Sequence, residues 1–344
     1  MKLQRILKSS FSRQLVIAVF TIITSSTCFA DPVKFLSAFF GLDGTMVNSQ
    51  VCPTAENQDG MPLTFSWLLD PNSIDASDFQ IIRSDGSITT PLCATLMPAN
   101  ESNETQTILV IGDVGNVKTG QTPLFVNVSG SLNGKEPGST ELKKLPKLPL
   151  KGVTPFDSGA YIVDAWVLTP DLLLNDANKC TIGSTFIRVV WSGGITAYPS
   201  GQEVGTDVTN SYKVSYFVEG SSPVSETPLA LGDLNDGDNM HDLCMPEMPL
   251  NAKLLSISLG GRLVQDPNGD PNLSQRFQVE GVYNLMLVTR SKSGLSEIVE
   301  SVGEFPSEKY CKAEGASLLK NKKIINNQKI ATQFICVGRQ QDNL

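Results

Sequence analysis

The stretch from Gly232 to Cys244 contains the residue types best suited to chemistry. It reads Gly-Asp-Leu-Asn-Asp-Gly-Asp-Asn-Met-His-Asp-Leu-Cys, with four carboxylates, the only histidine of the chain and a cysteine. A single histidine excludes a metal site built from several histidines. Carboxylate and amide oxygens suit a hard cation such as calcium, and a pair of carboxylates is also what glycoside hydrolysis requires.

Two segments carry oxygen-bearing side chains at the close spacing expected of a calcium-binding loop. Neither segment is an EF-hand, because Asp238 and Pro271 stand where that motif requires glycine. Between the segments lie Gly260 and Gly261, and a chain reversal there would bring both segments to one end of a sheet. The alternative is that these residues only form turns, which is their more frequent use. The predicted calcium ligands are Asp233, Asn235, Asp238, Asp266, Asn268 and Asp270.

Hydrolysis is the competing functional class. The segments Ile108–Asp113 and Asp238–His241 resemble the opening and closing motifs of SGNH esterases and lipases, but Val114 stands where that family has its nucleophilic serine. Hydrolysis of carbohydrate through paired carboxylates stays open. We interpret His241 as a partly exposed loop residue and not as a general base. Three tryptophans could stack on sugar rings, although tryptophan in a strand more often belongs to the core: Trp67, Trp166 and Trp191.

The first thirty residues are typical of a secretory signal peptide. Basic residues precede the apolar run Leu15–Ile23, and small residues lead to Ala30. Cleavage after Ala30 would leave 23 of the 27 basic residues against 35 acidic ones, which changes the net charge from −8 to −12. This charge repels phosphate backbones, so we expect no nucleic-acid partner. No later stretch is long and apolar enough to span a membrane, and we predict a secreted or periplasmic protein.

Six cysteines would remain after that cleavage, and an even number in an exported chain indicates disulfides. The sequence has no Cys-x-x-Cys pair of the kind that binds zinc. The alternative is that several thiols stay reduced. Because the cysteines occur two by two along the chain, we favour the pairs Cys52–Cys93, Cys180–Cys244 and Cys311–Cys336.

Short apolar and β-branched runs separated by turn residues predict a mainly β protein. Runs 78–83 and 88–90 flank Asp85-Gly86 and predict a hairpin. Further strands are predicted at 105–111, 124–129, 160–168, 185–191, 212–218, 254–259 and 283–289.

The same pattern predicts two β-sandwich domains of the immunoglobulin-like kind, at 31–133 and 156–306. Prolines interrupt the region 134–155 and remove backbone donors, so we interpret it as a linker or an edge segment. The tail 307–344 is predicted to hold a short helix at Ala313–Lys323 and to be tethered to the second domain by a disulfide.

Three segments resemble a group of uncharacterised secreted proteins: Phe79–Val114 with its Thr90-Pro-Leu-Cys-Ala-Thr-Leu-Met-Pro98, Trp191-Ser-Gly-Gly-Ile-Thr-Ala197, and Gly237–Cys244. No activity is assigned to that group, so the resemblance implies none. The residues favour a secreted, non-catalytic binding or structural surface protein that is stabilised by calcium and has an unidentified protein or glycan as its partner. The alternative is an extracellular hydrolase acting on carbohydrate through paired carboxylates.

Overall fold

The computed structural model describes residues 32–50, 52–101, 103–168, 180–279, 281–290, 297–321 and 331–338, which all belong to one compact unit. The expected signal peptide at 1–30 lies outside the described residues. The described chain is mainly β, with several antiparallel sheets and a small helical part near its C-terminal end.

The N-terminal half, residues 32–156, forms three antiparallel sheets with the strand orders β1-β2-β7-β6, β10-β9-β3 and β11-β8-β4-β5. Their apolar faces share one core that includes Phe65, Phe79 and Ile108. The strands are β1 Phe35–Ala38, β2 Asp59–Phe65, β3 Leu68–Leu69, β4 Phe79–Arg83, β5 Ile88–Thr89, β6 Cys93–Thr95, β7 Thr107–Gly112, β8 Pro123–Val128, β9 Asn133–Lys135, β10 Lys143–Lys144 and β11 Lys151–Gly152.

The central part, residues 160–279, has a second core that includes Ile187, Trp191 and Ile257. Its sheets have the orders β12-β13-β18-β17, β16-β15-β19-β21 and β14-β20. The elements are β12 Ile162–Val167, β13 Thr185–Trp191, β14 Thr196–Ala197, α1 Thr206–Ser211, β15 Lys213–Phe217, β16 Val224–Glu226, β17 Ala230–Gly232, β18 Met240–Met245, β19 Lys253–Leu259, β20 Val264–Gln265 and β21 Gln275–Gln278.

The C-terminal sheet has the order β23-β22-β24, and α2 packs against β22 and β24. Its elements are β22 Tyr283–Arg290, β23 Glu297–Phe305, α2 Glu308–Asn321 and β24 Ala331–Gly338. A third core joins Leu285 of this sheet to Phe217 and Leu255 of the central part. The tail therefore supplies a strand to a sheet as well as the predicted disulfide, and its helix begins five residues earlier than the predicted start at Ala313.

Each strand predicted from the sequence overlaps an observed strand, and the 185–191 prediction coincides with β13. The predicted hairpin is confirmed, because Ile82 pairs with Ile88 and Gly86 has the positive φ of 82° that the turn needs. The finer assignment to immunoglobulin-like sandwich domains stays a prediction. The structure contains the three favoured disulfides, Cys52–Cys93, Cys180–Cys244 and Cys311–Cys336.

The proline-rich segment 134–155 behaves as an edge segment of the N-terminal half. It supplies β10 and β11 to the edges of two sheets. Leu145 and Leu148 are buried in the N-terminal core, while Lys144 and Lys147 beside them are exposed. The leucines thus anchor a segment whose prolines remove hydrogen-bond donors.

The N-terminal half and the central part meet at a junction of small apolar and polar groups. Ala99 packs there with Val190 and Met240. The Tyr161 hydroxyl lies 3.0 Å from Ser37 Oγ and 2.9 Å from Thr154 Oγ1. This junction is where the candidate site lies.

We expect Leu63→Ala to lower the free energy of unfolding by about 2–5 kcal/mol, because Leu63 is fully buried in the N-terminal core and its truncation leaves a cavity. The matched control is Leu250→Ala, since Leu250 is fully exposed and should change stability by less than about 0.5 kcal/mol. Urea unfolding followed by circular dichroism measures both variants. Equal shifts of the two midpoints would contradict the assignment of this core.

Candidate functional site

A buried ion pair joins two neighbouring strands at the junction. Arg188 of β13 and Asp242 of β18 occupy paired positions, and both side chains are fully buried. Arg188 Nε donates to Asp242 Oδ1 at 2.8 Å and Nη2 donates to Oδ2 at 2.9 Å, which is the strong two-pronged contact of guanidinium with carboxylate. Side chains alternate between the two faces of a strand, so Ile187 and Val189 enter the central core while Arg188 points to the junction.

Three further carboxylates surround this pair. Arg188 Nη1 lies 3.1 Å from Glu104 Oε1 and donates to Asn103 O at 3.2 Å, and Nη2 lies 3.6 Å from Asp233 Oδ2. One oxygen from each of Glu104, Asp233 and Asp238 lies within 4.8 Å of the others. No side chain of this group is more than 5 % exposed. We call the group the acidic centre; its members are Glu104, Asp233, Asp238, Asp242 and Arg188.

Short-range hydrogen bonds shape the loop that carries two of these carboxylates. Asp236 Oδ1 accepts a hydrogen bond from Asp238 N at 3.2 Å, and Asp238 Oδ1 accepts one from Met240 N at 2.7 Å. Asp and Asn tolerate the left-handed region because their short polar side chains bond locally. The loop uses this property at Asp233 (φ 60°) and Asn235 (φ 72°), and Gly237 (φ 76°) adopts the same region because it has no side chain.

A buried amide ties the same loop to the N-terminal half. Asn239 Nδ2 donates to Thr107 Oγ1 of β7 at 3.0 Å and to the Trp191 carbonyl at 2.6 Å. The Asn239 carbonyl accepts a hydrogen bond from Trp191 N at 2.8 Å. The loop is therefore held from both sides of the junction.

Negative charge exceeds positive charge in the acidic centre, since four carboxylates face one guanidinium. Burial alone would lower the pKa of Arg188, but the carboxylates of Asp242, Asp233 and Glu104 together raise it. The pKa of Asp238 is raised well above its usual value, first by burial and then by the negative charges of Asp233 and Asp236. The centre is therefore suited to taking up a positive ion or a proton.

The second predicted calcium segment uses its polar atoms for turns. Asp266 Oδ1 accepts hydrogen bonds from Asn268 N at 3.1 Å and Asp270 N at 2.9 Å. Asn268 Nδ2 donates to the Phe156 carbonyl at 2.9 Å. Burial raises the pKa of Asp266 to about 6, since its side chain is almost wholly buried. These hydrogen bonds match the turn-forming alternative.

The two predicted segments nevertheless approach each other. The predicted reversal at Gly260 and Gly261 is not found: the chain continues past them into β20 and reverses at 266–270, where Gln265 pairs with Pro271, before β21 returns beside β19. A Cβ atom placed on Gly194 would lie 3.5 Å from the Asp238 carbonyl and 3.9 Å from Pro267 Cγ. Both segments thus lie beside Gly194, although the turn that brings the second segment there is the segment 266–270 itself and not the glycine pair.

Of the six predicted ligands, the structure brings Asp233 and Asp238 together with a carboxylate that the sequence did not indicate, Glu104. Asn235 is exposed, and its backbone N donates to Glu203 Oε2 at 2.7 Å. Sequence reasoning also missed Arg188. A signal was available, because Arg188 is the one charged residue of an otherwise apolar and β-branched strand, where an unpaired charge is costly.

The interpretation of His241 as a partly exposed loop residue is wrong. His241 is 2 % exposed and lies in β18, which begins at Met240. Successive residues of a strand point to opposite faces, so His241 lies on the face opposite Asp242. Its Nδ1 atom lies 2.9 Å from the Tyr212 hydroxyl. Burial lowers the pKa of His241 to about 3, so the imidazole is neutral at physiological pH. Trp191, fully buried, packs edge-on against the same ring.

No family model, curated protein or solved structure matches this chain. Within the described residues, no helix combines the length and apolar character needed to cross a bilayer. The three disulfides are compatible with an extracellular or periplasmic protein.

Replacing Arg188 by Met should lower the free energy of unfolding by about 3–5 kcal/mol, because buried carboxylates lose their counter-ion. Lys312→Met is the matched control, since Lys312 pairs with Glu308 on the surface and such a pair contributes less than about 0.5 kcal/mol. Urea unfolding at neutral pH measures both. A loss at Arg188 no larger than at Lys312 would show that the buried network is not needed for stability.

Acid should destabilise the protein through His241. Below about pH 6.5 the unfolded chain binds a proton there, whereas the folded chain does not until about pH 3, so the free energy of unfolding should fall by about 1.4 kcal/mol per pH unit between these limits. His241→Gln removes this contribution. The raised pKa of Asp266 acts in the opposite direction below about pH 6, but it is present in both proteins and cancels in their difference. Stability curves of wild type and variant that stay parallel from pH 7 to pH 5 would contradict the neutral, buried imidazole.

Proposed function

We propose that the protein is a secreted, non-catalytic binding protein whose acidic centre serves the structure and whose ligand surface lies elsewhere. The supporting observation is that His241 and the carboxylates of the acidic centre are buried, at most 5 % exposed. Glu104, Asp233 and Asp242 all lie against Arg188. His241, with a pKa lowered to about 3, is poorly suited to act as a general base near neutral pH.

The hydrolase alternative has less support. Glycoside hydrolysis needs two carboxylates that flank a sugar in an accessible cleft. The carboxylates of the acidic centre are at most 5 % exposed, and Trp191 and Trp67 are buried in cores where they cannot stack on a ligand. The three disulfides, by contrast, support export.

A groove on the N-terminal half offers a surface for a ligand. It has a volume of about 450 Å³ and is lined by residues 127–132 on one side and 144–148 on the other. The volume lies in the range usual for small-ligand sites. Leu132, Leu145 and Leu148 are buried beneath it and give it a fixed floor.

Two lysines give the groove a positive charge in an acidic chain. Lys144 and Lys147 are exposed, and neither forms an ion pair with another described residue. The opposite wall presents the exposed hydroxyl residues Ser129 and Ser131. Ammonium groups beside hydroxyls suit a ligand that combines negative charge with hydroxyl groups, so we infer that the ligand class is an acidic glycan.

The double change Lys144→Gln and Lys147→Gln should weaken binding of polygalacturonate by about tenfold, because two charge-assisted contacts are lost. The matched control is Lys118→Gln with Lys253→Gln, which removes the same charge at exposed positions outside the groove. Isothermal titration calorimetry measures the affinities, with neutral dextran as the comparison ligand.

Equal binding of polygalacturonate by the two double variants would reject the groove as the site. Equal binding of dextran and polygalacturonate by the wild type would reject the acidic ligand class. Release of reducing sugar from either polysaccharide would instead favour the hydrolase, provided that substitution of a carboxylate of the protein abolishes that release.

A further inference from the structure

We propose that the acidic centre is a divalent-cation site of the calcium type, with one carboxylate oxygen each from Glu104, Asp233 and Asp238 as protein ligands. The ion would lie at the junction of the N-terminal half and the central part. This site is separate from the lysine groove and does not depend on the binding function proposed above.

The distances fit a hard cation. Calcium binds oxygen at about 2.3–2.6 Å, so two oxygens on one ion lie at most about 5 Å apart. The three carboxylates each offer an oxygen within 4.8 Å of the other two. All three side chains are buried, which excludes the common case of acidic groups that merely gather on a solvated surface.

Asp238 supplies a second, independent observation. Its side chain is 95 % buried, and its Oδ1 atom accepts the hydrogen bond from Met240 N. Its Oδ2 atom is also buried but has no hydrogen-bond partner in the described part of the chain. A buried carboxylate oxygen without a partner costs free energy, and a cation held between Asp238, Glu104 and Asp233 would remove that cost.

Arg188 does not neutralise the centre by itself. Its Nε and Nη2 atoms are committed to Asp242 at 2.8 and 2.9 Å, and its distance of 3.6 Å to Asp233 Oδ2 is longer than a hydrogen bond. If all four carboxylates are ionised, three negative charges remain in excess beside one guanidinium. A divalent ion would cancel two of them. Arg188 can then hold the carboxylates from one side while the ion holds them from the other.

The origin of the ligands predicts what the ion does. Glu104 belongs to the turn before β7, whereas Asp233 and Asp238 follow β17 in the central part. A shared ion would therefore connect residues more than a hundred positions apart and stabilise the junction against opening. Binding would also favour the ionised form of Asp238, whose pKa is otherwise raised by burial and by its acidic neighbours.

The test uses the exported, oxidised protein after removal of metals with EDTA. Titration with calcium chloride should show one ion bound per chain by calorimetry, and a concentration of about 100 times Kd should raise Tm by about 5 °C. Asp238→Asn and Glu104→Gln should each weaken calcium binding at least tenfold and remove most of the rise in Tm. Asp270→Asn, an acid of the other segment, is the matched control and should keep both effects.

Stability measured without metal shows whether a variant loses calcium binding only because it no longer folds. Without the ion, Asp238→Asn should be at least as stable as the wild type, because it removes a buried charge among like charges. The proposal is overturned if millimolar calcium, magnesium and manganese neither bind nor raise Tm. It is also overturned if the calcium effect survives in Asp238→Asn and is lost in Asp270→Asn, since the ion would then belong to the second segment. Polygalacturonate binding is measured separately, so failure of either proposal leaves the other standing.

Discussion

The contact between Arg188 and Asp242 is the interaction on which the junction depends. Removing two charges from water is expensive, and only good geometry with further hydrogen bonds offsets that cost. Here both prongs of the guanidinium are used, and Nη1 reaches Asn103 O and Glu104. The pair also opposes slippage between β13 and β18, because a shift of one residue would turn Arg188 toward the central core and turn Ile187 and Val189 out of it.

The Arg188–Asp242 pair makes the junction polar, although apolar contacts alone would hold the N-terminal half against the central part. Asn239 bonds Thr107, Tyr161 bonds Ser37, and a small apolar patch around Val190 and Met240 fills the space beside them. Hydrogen bonds are directional, so those at the junction are satisfied in only one relative placement of the two parts, whereas apolar surfaces can pack together in several placements. The polar junction therefore specifies geometry as well as affinity between the N-terminal half and the central part.

Charge is divided between interior and surface in an unusual manner. The interior junction concentrates carboxylates around one guanidinium, while a groove of the N-terminal half exposes Lys144 and Lys147 in a chain with more acidic than basic residues. Buried charges act at short range with little screening, and exposed charges act on what diffuses past. The buried charges of the junction are suited to binding an ion and to fixing the register of two strands. The exposed lysines of the groove are suited to attracting an anionic ligand.

Sequence reasoning located the predicted strands, the Asp85-Gly86 hairpin, the tail helix and the three disulfides, because alternation, turn chemistry and cysteine order are local properties. It also found two members of the acidic centre, Asp233 and Asp238. Only the tertiary structure placed Glu104 against them, turned His241 into the core and drew the C-terminal tail into a sheet. These outcomes depend on which strands pair and which faces meet, and residues far apart in the chain carry no local pattern that records such pairings.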